Sequence, residues 1–432
     1  MALQGKKLLV LGGTSASYDL VRIAKSMGVH VVITDDSTQT SPTKQLADDV
    51  EHISTSDIPG LVKLVRRKNI DGAFCGPSEF NISNLVKLCK EAELPCYCTP
   101  EQWELCSNKK TFKEYCLRND VPTAAEYRIE SFLTEDGDSH VEYPVIVKPV
   151  DGCSSKGISI CKNRYEVRKA YETALAASVC KHAIIEQYID NGGSIFSFRY
   201  ILDNGNYYPY LAFDTYIVDP IDRKYLISAF TYYPSRIIST FRSDLDLNIR
   251  RMFADMGLKN GVAFIQSIPY KGKIYCHEMG YRLSGGMIYK ITQSIMQIND
   301  MEMMIRFALG EPLISKEEIS RIENAKSDVS IAQLMIPLNC GTIMSIEGLD
   351  EIKNMKGVDD FLQYYHIGDT VEKKYLGTLA QHFGRFTLSS QSKEGIIELV
   401  NQIQSKLKII DTKGNNMYTM LFDTARLNHN RY

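Results

Sequence analysis

Charge of either sign is nearly balanced in this sequence: 50 basic residues meet 52 acidic ones over 432 residues, a formal charge of −2. No global field recruits nucleic acid or an anionic membrane, so neither is expected as a partner. Long apolar runs are missing too, and no stretch reaches the roughly 18 residues of a membrane span. The N-terminal MALQGKKLLVLGG passes from two lysines into a short apolar strand, which is too brief for the h-region of a signal peptide. A cytoplasmic protein is expected. The 11 cysteines are odd in number and scattered, which fits reduced thiols better than a disulfide framework. Cys89, Cys96, Cys98 and Cys106 lie closest together, but a structural zinc site wants two close pairs with recognisable spacing. Internal repeats and low-complexity segments are absent as well.

What is present is an ordinary globular balance, 44% apolar and 24% charged, in a chain long enough for two or three packed subdomains. The first hundred residues alternate strand and helix patterns: Leu8 to Leu11, a helix near Ser17 to Met27, Val29 to Thr34, a helix near Ile58 to Lys68, then Gly72 to Cys75. A helix near Phe80 to Glu91 and a strand-like Pro95 to Cys98 extend the series. Such alternation predicts a parallel sheet covered by helices, a Rossmann-like domain over 1–107. A second α/β unit begins near Asn108 and runs to 326, with a smaller subdomain at about 145–190. Turn signals at Asp203-Asn204-Gly205-Asn206 and Tyr270-Lys271-Gly272-Lys273 predict antiparallel hairpins. Residues 327–432, with a helix near Lys393 to Lys406, are expected to form a small C-terminal α+β lobe.

Three segments carry chemistry. In YPVIVKPVDGCSSKGISIC, an apolar strand ends in Lys148 and leads into a loop, Asp151 to Gly157, that offers the hydroxyls of Ser154 and Ser155 and backbone N–H groups. A strand-end lysine before such a loop suits nucleotide phosphates, although a lysine capping an ordinary hairpin has the same local pattern. The Walker A order is absent. In AIIEQYID, the strand turns polar at Glu186, and Gln187, Tyr188 and Ile189 supply the extended backbone an adenine ring needs. In GVAFIQSIPYKGKIYCHEMGYRLSGG, a three-residue loop at Lys271 to Lys273 would pair Tyr270 with Ile274 and set Gln266 opposite Glu278. Two oxygen donors so placed can hold Mg²⁺. Arg282, four residues on, would share their face and bind a phosphoryl or carboxylate group, with Ser284, Gly285 and Gly286 offering backbone donors nearby. A salt-bridged surface hairpin is the plainer alternative.

In this order, the three segments resemble the ATP-grasp superfamily, especially its carbamoyl-phosphate-synthase-like and biotin-carboxylase-like ligases, over roughly residues 1 to 310. The resemblance implies an α/β Rossmann-like N-terminal domain followed by an ATP-grasp fold of two α+β subdomains. It implies ATP and Mg as cofactors, and phosphate contacts from Lys109 in SNKKTF and Lys148 in IVKP. It further implies a flap at Asp151 to Gly157, an adenine strand at Glu186 to Ile189, and metal ligands at Gln266 and Glu278 with Arg282 beside them. Two departures stand out. Gly280 sits where many members place an asparagine ligand, and Asn191 to Ser197 lacks the acidic residue of the common G-x-E-[FY]-S pattern. The matching N-terminal domain helps bind the carboxylate in such ligases, which points to Ser15 and Glu79.

The expected activity is therefore that of a carboxylate–amine ligase. ATP activates a small carboxylate as an acyl phosphate, and a small amine captures it. Carboxylation through carboxyphosphate and a non-catalytic nucleotide-binding protein are the alternatives. A nicotinamide-dependent dehydrogenase built on Gly12 to Ser17 and Asp35 is a further one, though the third glycine of its fingerprint is missing. An isologous dimer is the default oligomer.

Overall fold

The computed structural model describes residues 3–134, 137, 139–151, 157–218, 227–286, 288–325 and 329–428. Near the N-terminus, four strands pair in parallel in the spatial order Asp49–Glu51, His30–Thr34, Lys7–Leu11, Gly72–Cys75. Helices cover this sheet, so the strand Leu8 to Leu11 can be continuously apolar and buried. The order reverses between Lys7–Leu11 and Gly72–Cys75, and the loops after these two strands border the crevice where such sheets bind ligands. The helix Glu79–Ala92 starts there, its N-cap Ser78 accepting from the Asn81 N–H. The helix Ile58–Lys68 spans the expected residues, set by the Asp57 cap and a proline in its first turn.

Pro95 to Cys98 is not a strand, contrary to its apolar pattern. Pro95 has no N–H to give to a ladder, and Tyr97 turns instead onto Tyr281, ring centroids 5.2 Å apart and edge to face.

A small antiparallel sheet follows, in the order Glu126–Tyr127, Ala183–Gln187, Val145–Pro149, Ser159–Cys161. The helix Arg164–Ala177 packs on it, and Phe132, Val145, Val147, Val167 and Ile185 form a core of its own. The largest sheet has eight strands, ordered Lys273–Gly280, Gly261–Tyr270, Ser194–Asp203, Asn206–Ile217, Ser228–Tyr233, Ser330–Pro337, His382–Ser390, Val358–Gln363. Its ladder continues from Ser228–Tyr233 onto Ser330–Pro337, so strands from both sides of residue 327 share one sheet. A three-stranded sheet of Gly341–Glu347, Thr370–Val371 and Lys408–Asp411 stands apart, and the helix Lys393–Lys406 packs on the main sheet.

Candidate active site

The hairpin that carries Gln266 and Glu278 differs from its sequence reading in two ways. The turn has two residues, Lys271 and Gly272, both at positive φ, so Tyr270 pairs with Lys273 and Pro269 with Ile274. That register alone would set His277 opposite Gln266. A β-bulge then inserts His277 as an extra residue, and Gln266 faces Glu278 after all. His277 Nδ1 is buried without a hydrogen-bond partner among the described residues. Burial, with Lys148 next in effect, pulls its pKa down to about 4, so the ring is neutral at pH 7.

Glu278 is enclosed by protein, yet its side chain is 33% exposed, because it lines a cleft. Burial pushes its carboxyl up, but Lys109, at 3.7 Å, together with Lys148 and Arg282, outweighs burial and keeps it ionised. Lys109 opens the helix Lys109–Arg118, and Asn108 caps that helix by accepting from the N–H groups of Lys110 and Thr111. The Lys109 N–H bonds the Val150 carbonyl at 3.1 Å, which ties the helix to the strand that carries Lys148.

Lys148 and Glu186 lie on paired strands, and their side chains meet at 2.5 Å. Lys113, one helical turn beyond Lys109, reaches the other oxygen of Glu186 at 2.6 Å. Burial raises the Glu186 carboxyl, and the two lysines more than reverse this, holding it at about 2. Glu186 thus serves as a buried counter-ion as well as a member of the expected adenine strand. The N–H groups of Gln187 and Tyr188 are already bonded to the carbonyls of Ala125 and Pro144. Those two donors are therefore spent within the fold.

Ser154 and Ser155 lie outside the described residues. The loop's two ends are fixed: Asp151 accepts from Ser178 Oγ at 2.6 Å and from the Cys180 N–H at 2.8 Å. At the other end, Gly157 has φ +77, and a Cβ there would come within 2.6 Å of Ala177 Cβ.

Arg282 stands two residues beyond the end of its strand at Gly280. It is nevertheless delivered to the cleft, where Nη2 donates to Glu79 Oε1 at 2.8 Å. Its guanidinium stacks over Phe264 at 5.2 Å. Lys109, Glu79, Glu278 and Arg282 line one recess. Gly285 approaches Pro77, which brings the Ser284–Gly286 loop against the Gly76–Glu79 turn. Ser15 is exposed at the start of a short 3-10 turn, and Gly76 approaches its neighbour Ala16. Gly280 has a steric cause: a Cβ there would fall 2.3 Å from the Phe264 ring.

The N-terminal glycine loop is filled by the protein itself. Asp35 accepts from the N–H groups of Gly13 and Ser37 and lies 3.6 Å from Lys44, whose chain packs against Gly13. The carboxylate that a ribose would require is already engaged, which counts against the dehydrogenase alternative.

Sequence reasoning passed over Lys113, His277 and Phe264. Only Lys113 left a sequence signal, its i,i+4 spacing from Lys109.

The fold is that of the ATP-grasp ligases. The family model for the D-ala D-ala ligase C-terminus matches residues 123–207. Among relatives, the formate-dependent phosphoribosylglycinamide formyltransferase of Sulfurisphaera tokodaii is 22% identical over 346 residues, 76% of this chain and 81% of its own. The crystal structure of the L-amino acid ligase from Bacillus licheniformis superposes with a TM-score of 0.78 at 19% identity, covering 95% of this chain and 99% of that one. The biotin carboxylase domain dimer of Hydrogenobacter thermophilus 2-oxoglutarate carboxylase, in complex with MgADP, ADP and bicarbonate, gives 0.74 at 19% identity, covering 94% and 91%. No helix among the described residues is long and apolar enough to cross a membrane.

Proposed function

We propose that this protein is an ATP-dependent ligase that joins a carboxylate to an amine through an acyl phosphate. The observation that carries the reading is the convergence of Lys109, Glu278 and Arg282 on one recess, with Lys148 near enough to act on the Glu278 carboxylate. Lys109 and Lys148 are the groups for the ATP phosphates, with Ser154, Ser155 and Gly157 as further phosphate contacts. Gln187 to Ile189 border the adenine.

The donor set fits a divalent cation. Glu278 is ionised and open to the cleft, and the Gln266 side-chain oxygen can serve opposite it, a pair suited to Mg²⁺ with water and phosphate completing the shell. Bound there, Mg²⁺ supplies neutralisation of the β- and γ-phosphate oxygens. Gly280 brings no second ligand.

The substrate carboxylate attacks the γ-phosphorus. A new O–P bond forms, the β–γ bridging P–O bond breaks, and ADP leaves with its charge met by Lys109 and Lys148. Arg282 holds the acyl phosphate beside the N–H groups of Ser284 to Gly286. Its exchange from Glu79 to the phosphorylated substrate frees that carboxylate to take the amine's proton. The amine nitrogen then forms the C–N bond as the C–O bond to phosphate breaks. Ser15, at the mouth of the N-terminal crevice, belongs to the carboxylate pocket.

The same reading places the protein in the cytoplasm. It takes 1–107, 108–326 and 327–432 as the functional units and assigns a homodimer, in keeping with the dimeric Hydrogenobacter domain. The deciding measurement is Mg²⁺-dependent ADP release across a panel of carboxylates, with and without amines. Sustained ADP turnover that needs one acid and one amine together, with the acid alone giving at most one ADP per site, supports the ligase. Release with bicarbonate alone replaces it with a carboxylating enzyme, and no release despite ATP binding replaces it with a non-catalytic binder.

A further inference from the structure

Arg199 has no task in the scheme above, although it is built into the same face of the sheet. It lies opposite Phe264 on the neighbouring strand, as Ser197 lies opposite Gln266, so Arg199, Gln266 and Glu278 share one side. The residue is only 3% exposed. The Phe213 and Phe264 rings each stand 5.2 Å from its guanidinium carbon. Nη2 donates to Ser284 Oγ at 2.6 Å, while Nε and Nη1 are buried without a hydrogen-bond partner among the described residues. The Tyr210 hydroxyl and then Asp300 are close enough to attract it; Tyr210 donates to Asp300 at 2.8 Å, and burial pushes the pKa of both groups up.

A buried guanidinium with unmet donors is costly to keep in a fold, and such groups call for a physical reason. Here the reason lies in the loop it supports. Arg282 stacks on Phe264 as well, its Nε is buried without a partner among the described residues, and its Nη1 donates to the Leu283 carbonyl at 3.2 Å. Two guanidiniums, stacked on one ring, thus hold adjacent residues of the segment that leads into Gly285 and Gly286. A segment with one buried cation, Arg199, against it and a second, Arg282, beside it in the cleft is complementary to an anion.

We propose that Arg199 is a positioning residue, which fixes Ser284 and sets a buried positive charge behind the Ser284–Gly286 loop to stabilise the acyl phosphate and then the released phosphate. This deepens the ligase reading and rests on it. Arg199 acts through Ser284 and through its field, since Nε and Nη1 are closed to solvent. A fixed charge in such surroundings acts on an oxyanion without reorganising first.

The test uses the full chain with Mg²⁺ and ADP, titrated calorimetrically with inorganic phosphate, beside thermal melts without phosphate. Arg199→Met keeps the length and loses the charge; Arg199→Lys keeps the charge and loses the planar fork. The expected result is phosphate binding about tenfold to a hundredfold weaker in Arg199→Met and intermediate in Arg199→Lys. ADP affinity is unchanged, and the melting temperature of Arg199→Met is equal to or above that of the wild type. An Arg199→Met variant that melts earlier and binds phosphate normally overturns the proposal and makes Arg199 a structural support. If Arg199→Met loses both stability and phosphate binding, Arg199→Lys decides: partial recovery of phosphate binding supports the proposal, and none overturns it. ADP affinity indifferent to Lys148→Met would instead overturn the ligase reading, so the two failures are distinguishable.

Discussion

Gln266 and Glu278 face each other across a hairpin whose turn, by itself, would set His277 in that place. The bulge at His277 therefore decides which side chain faces Gln266. A carboxylate at this point can bind Mg²⁺, whereas a neutral imidazole is a poor partner for so hard an ion.

Glu278→Ala is expected to lower Mg²⁺-dependent ADP release by about a thousandfold, the several kcal/mol that metal polarisation of a phosphoryl oxygen supplies. Metal-free ADP binding, followed by calorimetry, should change little, because Lys109 and Lys148 remain. Turnover near the wild-type level would remove Glu278 from the site.

Elements with strong local punctuation were legible from sequence. The helices Ile58–Lys68 and Lys393–Lys406 have side-chain caps at Asp57 and Ser392 and end where expected. The Asn204-Gly205 turn joins its strands as a two-residue hairpin with both residues at positive φ. What could not be seen arises from long-range pairing. The Lys113–Glu186 bond joins residues 73 apart, and neither segment indicates the other as its partner. The agreement of Gln266 with Glu278 was reached through a turn one residue too long and a bulge not foreseen, two offsets that cancel.

Glu186 balances two buried lysines, so Glu186→Gln leaves Lys148 without its counter-charge and Lys113 with only Glu126, at 3.4 Å. The expected loss is about 3–5 kcal/mol in urea unfolding at pH 7. The pH dependence has a definite sign. The Glu186 carboxyl is held near 2 in the fold against 4.5 for the ordinary group. Its stabilising contribution is therefore complete above about pH 4.5 and is lost as pH falls toward 2. The stability difference between wild type and Glu186→Gln should shrink across that window; a difference that stays constant would show that the carboxylate is not the group being titrated.

Gly280→Asn restores the residue that many ATP-grasp enzymes carry, but the Phe264 ring lies where its Cβ would go. The single substitution should cost about 1–3 kcal/mol by overpacking, read from the denaturation midpoint. The loss caused by Gly280→Asn should be smaller in a Phe264→Ala background than in the wild type, because the clash is removed. An equal loss in both backgrounds would mean that the ring is not the obstacle.

Arg282 and Glu79 form an ion pair at 2.8 Å that turnover must break if Arg282 is to hold the acyl phosphate. Arg282→Lys keeps the charge but gives up the planar fork that matches two oxygens at once. The expected result is a fall in kcat of roughly tenfold to a hundredfold, the worth of one or two charge-assisted hydrogen bonds at the transition state, with the KM for ATP unchanged. Glu79→Gln should act on the other half-reaction, raising the KM for the amine and shifting the pH profile of the amine-dependent step. ADP release driven by the carboxylate alone should remain. If Glu79→Gln instead abolishes acid-dependent ADP release, Glu79 serves carboxylate activation, and the exchange of Arg282 between partners is not the step that links the two halves.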